Sequence, residues 1–181
     1  MNEILLITQV MRFAADCHAG HRRKGESREP YVNHVIEVAE LVATATKGED
    51  INLVAAALLH DVLEDTEVTR AEMAEKFNTD IADLVHEVTN DQALTKAAQK
   101  AAQITSAPGK SDRAKILKLS DKTANFRSIL NSPPRDWSVA HKRDYLEHGR
   151  QVAEGLAGKN AWLDDQFADT ARRLMNQIDG E

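Results

Sequence analysis

The segment Leu58-Leu59-His60-Asp61-Val62-Leu63-Glu64-Asp65-Thr66 puts one imidazole and three carboxylates at the end of an apolar stripe. Carboxylates carried into a core are costly when unpaired and repel one another when close. A bound divalent cation removes both costs. Glu64 follows His60 by four positions and Asp65 follows Asp61 by four, so on one continuous helix both acids return to the face of the His-Asp pair. Two further ligand types stand where a periodic helix would take neutral residues. His34, in Pro30-Tyr31-Val32-Asn33-His34, opens a second helix, and Asp121, in Lys118-Leu119-Ser120-Asp121-Lys122, interrupts another.

Together His34, His60, Asp61 and Asp121 make a mixed nitrogen and oxygen set drawn from three helices. With open positions for water, it suits Mn²⁺, Fe²⁺ or Zn²⁺ better than Ca²⁺. A water on such a cation loses its proton near neutral pH and becomes a usable nucleophile. The residues alone leave another reading standing, with Asp61 and Glu64 as a solvated helix end and Asp65-Thr66 as a turn. His18, His21, His86, His141 and His148 are read as surface or core residues rather than ligands.

Arg22, Arg23 and Lys24 lie just before His34, while Lys118, Lys122 and Arg127 flank Asp121. If His34 and Asp121 share a cation, some of these positive charges stand near it. Guanidinium and ammonium groups beside a hydrolytic metal suit a phosphorylated substrate. The competing reading is charge facing water, and it is the one taken here for Lys96, Lys100 and Lys110 as a basic rim.

The elements that must position these groups are helical. Apolar residues recur at helical spacing nearly throughout, with no sustained alternation of period two. Leu6, Val10, Phe13, Ala14 and Cys17 mark a first helix, with Cys17 as a core thiol. Val35, Val38, Ala39, Val42 and Ala45 mark a second, and Ile51, Val54, Ala55, Leu58, Leu59 and Val62 a third, capped by Asp50. Thr69 and Glu72 form a capping box for a short helix over 70–77, followed by the stripe Ile81, Leu84, Val85 and Val88. Ile116, Leu119, Thr123, Phe126 and Leu130 define a long helix ending before Pro133-Pro134. Tyr145, Gly149, Val152 and Leu156 form the next, and Leu163, Phe167, Ala171 and Leu174 the last. The stretches 18–30 and 106–112 read as loops. The expectation is an all-α fold, one compact multi-helix bundle over 1–181, with the C-terminal helices, about 136–178, packing on the core.

Composition closes off several classes. With 23 basic and 29 acidic residues the net charge is −6, which argues against an open nucleic-acid surface and against a DNA-reading helix-turn-helix. The single cysteine allows no internal disulfide. No apolar run reaches the length of a membrane span, and no secretory leader is visible, so a cytoplasmic location is expected. Nothing here sets the oligomeric state.

Four motifs, His18-Ala-Gly-His-Arg-Arg-Lys24, Pro30-Tyr31-Val-Asn-His34, Ala57-Leu-Leu-His60-Asp61-Val-Leu-Glu64-Asp65-Thr66 and Lys118-Leu-Ser-Asp121-Lys-Thr-Ala-Asn125, occur in an order that resembles the HD-type hydrolase domain of RelA/SpoT homologues. The likeness runs over roughly residues 5–157. It points to the stand-alone small alarmone hydrolases of the HD superfamily, of the metazoan, Mesh-like type. The resemblance implies that His34, His60, Asp61 and Asp121 hold Mn²⁺ and that Glu64 and Asp65 orient and activate the attacking water. It further implies that Arg23, Lys24, Asn125, Tyr145 and Lys96 contact the nucleotide. The implied reaction is hydrolysis of the 3′-pyrophosphate of guanosine tetra- or pentaphosphate, giving GDP or GTP and pyrophosphate.

Departures surround the substrate rather than the metal. His141 stands where relatives often carry a basic residue, Val62-Leu63 replaces a pair in which threonine is common, and 89–112 is less basic. Two other readings therefore remain: a phosphatase acting on NADPH or adenosine alarmones through the same site, and a silent nucleotide-binding regulatory domain.

Overall fold

A computed structural model describes residues 2–180. Among these residues there are ten α-helices, one short 3-10 turn and no strand, only an isolated bridge between Arg22 and Pro30. The all-α expectation holds. In chain order the helices are α1 (Glu3–Cys17), α2 (Val32–Thr46), α3 (Ile51–Leu59), α4 (Val62–Asp65), α5 (Arg70–Lys76), α6 (Thr79–Val88), α7 (Lys96–Ser106), α8 (Asp112–Asn131), α9 (Val139–Leu156) and α10 (Ala161–Asp179).

The centre of the bundle is α3, in which every residue from Leu53 to Leu59 is buried. A helix apolar on all sides has to be surrounded, and α1, α2 and α6 pack around this one. Asp50 caps it, accepting from the Leu53 N–H at 3.0 Å. The same carboxylate takes two hydrogen bonds from Arg113, whose guanidinium also bonds Asp80. One side chain thus ties the start of α3 to the start of α8 and to α6. The capping box on Thr69 and Glu72 forms as expected, and α5 begins at Arg70.

Helix α8 crosses the bundle, with α2 on one side and α9 and α10 on another. Phe126, Ile129, Leu146, Ala171, Leu174 and Ile178 interlock where α8, α9 and α10 meet. Gly149 makes the approach of α9 to α8 possible, because a Cβ there would stand 2.4 Å from the Phe126 ring.

Two expectations change. The third helix does not run on through the acids: it stops at Leu59, and a separate single turn carries Glu64 and Asp65. Nδ1 of His60 bonds the Ala57 carbonyl at 2.8 Å, satisfying an acceptor that helix ends leave open. Stretch 89–112 yields a further helix, α7, started by the Thr95 cap. Its Ala-rich face buries little beyond Gln99, so no large apolar residue announces it. Cys17 is only half-buried, at the edge of the core. No helix among the described residues is long and apolar enough to cross a membrane.

Candidate metal and substrate site

His34 sits in the first turn of α2, His60 and Asp61 form the break between α3 and α4, and Asp121 lies midway along α8. Packing of α2 on α3 and α8 brings the four together. Nε2 of His34 is 3.3 Å from Oδ1 of Asp121 and 3.7 Å from Oδ2 of Asp61. Nε2 of His60 is 3.0 Å from Oδ2 of Asp61 and 3.7 Å from Oδ1 of Asp121. Donor atoms of His34, His60 and Asp61 all lie within 4.8 Å of one another.

These separations fit ligands of one ion, since donors about 2.0–2.2 Å from a metal stand roughly 3–3.5 Å apart. Nε2 of His60 is buried and makes no hydrogen bond despite its neighbours, while Nδ1 of the same ring is fixed on a carbonyl. A buried imidazole nitrogen set between two carboxylates without a hydrogen bond of its own is what a cation would satisfy. The residues therefore fit a divalent metal.

The electrostatics point the same way. Burial pushes His60 down, yet Asp61 and Asp121 outweigh it and hold its pKa up at about 10. His34 is pushed down, chiefly by burial. Asp61 stays below the ordinary carboxylate range, because His60 overcomes the upward push of burial. Asp121 is held low against burial by both imidazoles and by Lys118. A cation would take over the role those protons play.

The two acids of α4 leave in different directions. Glu64 accepts from the backbone N–H of Asn90 at 2.7 Å and from its side-chain amide at 3.1 Å. Asp65 comes close to His18 and His21 instead. Its carboxyl is raised by burial and by the charges of Asp61 and Glu64. The break after Leu59 resets the helical phase, so the four-residue spacing does not carry both acids to one face.

Around this centre stand most of the basic and polar residues expected from the sequence. Asn125 donates to Oδ1 of Asp121 at 2.6 Å and accepts from Nη2 of Arg23 at 2.8 Å. Arg23 also lies over the Tyr31 ring, 5.4 Å from its centre. Lys24 borders an open cleft of about 580 Å³ with Arg22, Arg23, Arg135 and Trp137. Tyr145 is half-buried between Phe126 and Trp137, and burial and the Asp121 charge keep its hydroxyl protonated. Lys122 reaches Gln103 and Lys118 the Val88 carbonyl. Lys96 is exposed at the start of α7 and makes no hydrogen bond or ion pair to this group.

Three contributors were not singled out by type or spacing. The Tyr31 hydroxyl donates to Oδ2 of Asp61 at 2.7 Å, Asn90 holds Glu64, and His18 is buried against Tyr31. Tyr31 could have been found, because it sits three positions before His34 in a motif already noted. Asn90 carries no local signal.

Residues 11–158 match the family described as HD domain. The chain is 36% identical over 162 residues to the guanosine-3′,5′-bis(diphosphate) 3′-pyrophosphohydrolase MESH1 of Danio rerio, covering 90% of each chain. Against the human protein of the same name identity is 38% over 164 residues, covering 91% of this chain and 92% of the other. Among solved structures, a metazoan orthologue of SpoT described as hydrolysing ppGpp aligns with a TM-score of 0.88 at 35% identity, over 92% of this chain and 94% of that one. A Listeria monocytogenes protein aligns at 0.65 with 28% identity, over 81% and 98%.

Proposed function

The chain belongs to the HD domain family, and from that premise we propose that it is a metal-dependent hydrolase of guanosine 3′,5′-bis(diphosphate) and its pentaphosphate analogue. The products are GDP or GTP and pyrophosphate. One observation carries the reading: donor atoms of His34, His60, Asp61 and Asp121 converge from three parts of the bundle, with an orphaned imidazole nitrogen among them. Relatives of closely matching length bear the name of that activity, which supports the choice of substrate.

His34, His60, Asp61 and Asp121 would hold the metal, and Mn²⁺ is the ion proposed, with Fe²⁺ and Zn²⁺ as substitutes. When bound, a divalent ion there supplies a Lewis acid and lowers the pKa of water at the reacting phosphorus. The chain's own residues do the rest. Tyr31 and Asn125 hold the Asp61 and Asp121 carboxylates in place through hydrogen bonds. Asp65, its carboxyl raised by burial and by the charge of Asp61, accepts the proton of the attacking water. Glu64, locked on Asn90, helps align that water. Arg23 and Lys24 draw the phosphates into the basic cleft, and the protonated hydroxyl of Tyr145 donates to a phosphate oxygen. Asn125 and Lys96 complete the proposed nucleotide contacts, Lys96 by swinging in from the rim.

We read residues 1–181 as one such unit, because α10 packs along α8, which carries Asp121. A cytoplasmic location belongs to the same proposal. The test is incubation of the purified chain and Mn²⁺ with guanosine 3′,5′-bis(diphosphate) and, separately, NADPH. Release of GDP and pyrophosphate is expected, resolved by anion exchange. Phosphate release from NADPH with no turnover of the guanosine substrate would overturn the assignment.

A further inference from the structure

His18 caps the end of α1, His21 lies three positions on in the loop, and Asp65 ends the single turn α4. One ligand atom from each lies within 4.8 Å of the other two. The Nδ1 atoms of the two imidazoles are 3.1 Å apart. A hydrogen bond between them would use one nitrogen of each ring, and it leaves Nε2 of His18 buried without any partner. His18 is only 1% exposed, so water does not reach it freely. Among the described residues no lysine or arginine pairs with Asp65, and Arg22 turns its guanidinium to the carbonyls of Ala19 and His21. The cluster thus has two imidazoles facing each other, a carboxylate, and no cation of its own.

We propose that His18, His21 and Asp65 form a second divalent-cation site, suited to Zn²⁺ or Fe²⁺, beside the centre made by His34, His60, Asp61 and Asp121. Two imidazoles and one carboxylate are the protein ligands of zinc and non-haem iron sites that keep positions open for water or a substrate oxygen. Nitrogens held about 2.0–2.1 Å from one ion stand roughly 2.8–3.4 Å apart at angles from octahedral to tetrahedral. The observed contact falls in that range. His21 is half-buried and Asp65 exposed, which gives an ion a route from solvent, while His18 forms the floor.

Tyr31 joins the two centres. Its ring packs 4.9 Å from His18 and 6.3 Å from His21, and its hydroxyl donates to Asp61. The existence of the second site does not depend on the hydrolase reading. Its use does rest on that reading: a cation there occupies Asp65, the proposed proton acceptor, and so lowers turnover at the neighbouring centre.

The experiment is equilibrium dialysis of the metal-stripped full chain against Zn²⁺, with bound metal counted for wild type, His21→Gln and Asp121→Ala. His21→Gln keeps the side chain's size and polarity at a half-buried position. Two ions per wild-type chain are expected and one in each variant. Equal stoichiometry in wild type and His21→Gln overturns the second site. Loss of an ion in His21→Gln with none lost in Asp121→Ala leaves this site standing and shows that His34, His60 and Asp61 hold the other ion without Asp121. Should either variant fail to fold, wild-type crystals soaked in Zn²⁺ decide it. Anomalous density between His18 and His21 is expected, and its absence refutes the site.

Discussion

Nδ2 of Asn125 donates a 2.6 Å hydrogen bond to Oδ1 of Asp121, the same oxygen that lies 3.3 Å from Nε2 of His34. One turn of α8 therefore supplies both a proposed metal ligand and the group that aims it. Replacing Asn125 with Ala frees Asp121 to rotate and releases Arg23, which bonds the other end of the amide. Partners of this kind are worth about 10–100-fold in metal affinity or activity. Calorimetric titration with Mn²⁺ should show a loss of that size, and unchanged affinity would show that Asn125 does not position Asp121.

Glu64 and Asp65 should separate in mutagenesis. Asp65→Asn removes the proposed proton acceptor and should lower kcat about 10²–10⁴-fold. Metal at the four-residue centre should stay in place. Glu64→Gln keeps acceptor capacity for only part of the Asn90 contact and should cost less. Steady-state rates for both variants check this, and the reverse order would transfer the proton-accepting role to Glu64.

Arg113 links Asp50 and Asp80 through four hydrogen bonds of 2.7–3.0 Å. Asp80 is held below its ordinary value, first by the bond from Arg113. A depressed carboxyl stabilises the folded state above the unfolded pKa, about 3.9 for aspartate, and that contribution is lost as pH falls through the lower folded value. Arg113→Ala should therefore unfold at lower temperature than wild type at pH 7, and the gap in Tm should shrink on acidification below about pH 4. A gap independent of pH would mean that packing, rather than charge, is what Arg113 contributes.

At Gly149, α9 leaves no room for a Cβ beside the Phe126 ring. Gly149→Ala forces the ring or the helix to shift and should destabilise by about 1–3 kcal/mol, as overpacked cores do. For a chain of this size that is a fall in Tm of roughly 2–4 °C per kcal/mol. Thermal melts followed by circular dichroism measure it, and an unchanged Tm would show that Phe126 relaxes freely.

Much of this centre was legible because its residues are out of place. A histidine and an aspartate after the run Leu53–Leu59, an aspartate inside α8 and a histidine opening α2 each break a pattern that apolar or neutral residues would continue. The helices themselves were legible wherever large apolar residues mark a buried stripe. Helix α7 was not, since alanine and glutamine mark no face. The break after Leu59 was hidden for a different reason. It depends on the His60 ring reaching the Ala57 carbonyl, which spacing does not reveal, so Glu64 and Asp65 were expected to point together and do not. Asn90 belongs to the site only through a contact 26 positions away.

The account depends above all on a single cation shared by side chains from α2, the α3–α4 break and α8. Crystals of the full chain soaked in Mn²⁺ and measured at the manganese absorption edge test this most directly. The account predicts one strong anomalous peak about 2.0–2.3 Å from Nε2 of His34, Nε2 of His60 and one oxygen each of Asp61 and Asp121. Crystals of fully active protein with no peak among those four residues would contradict it.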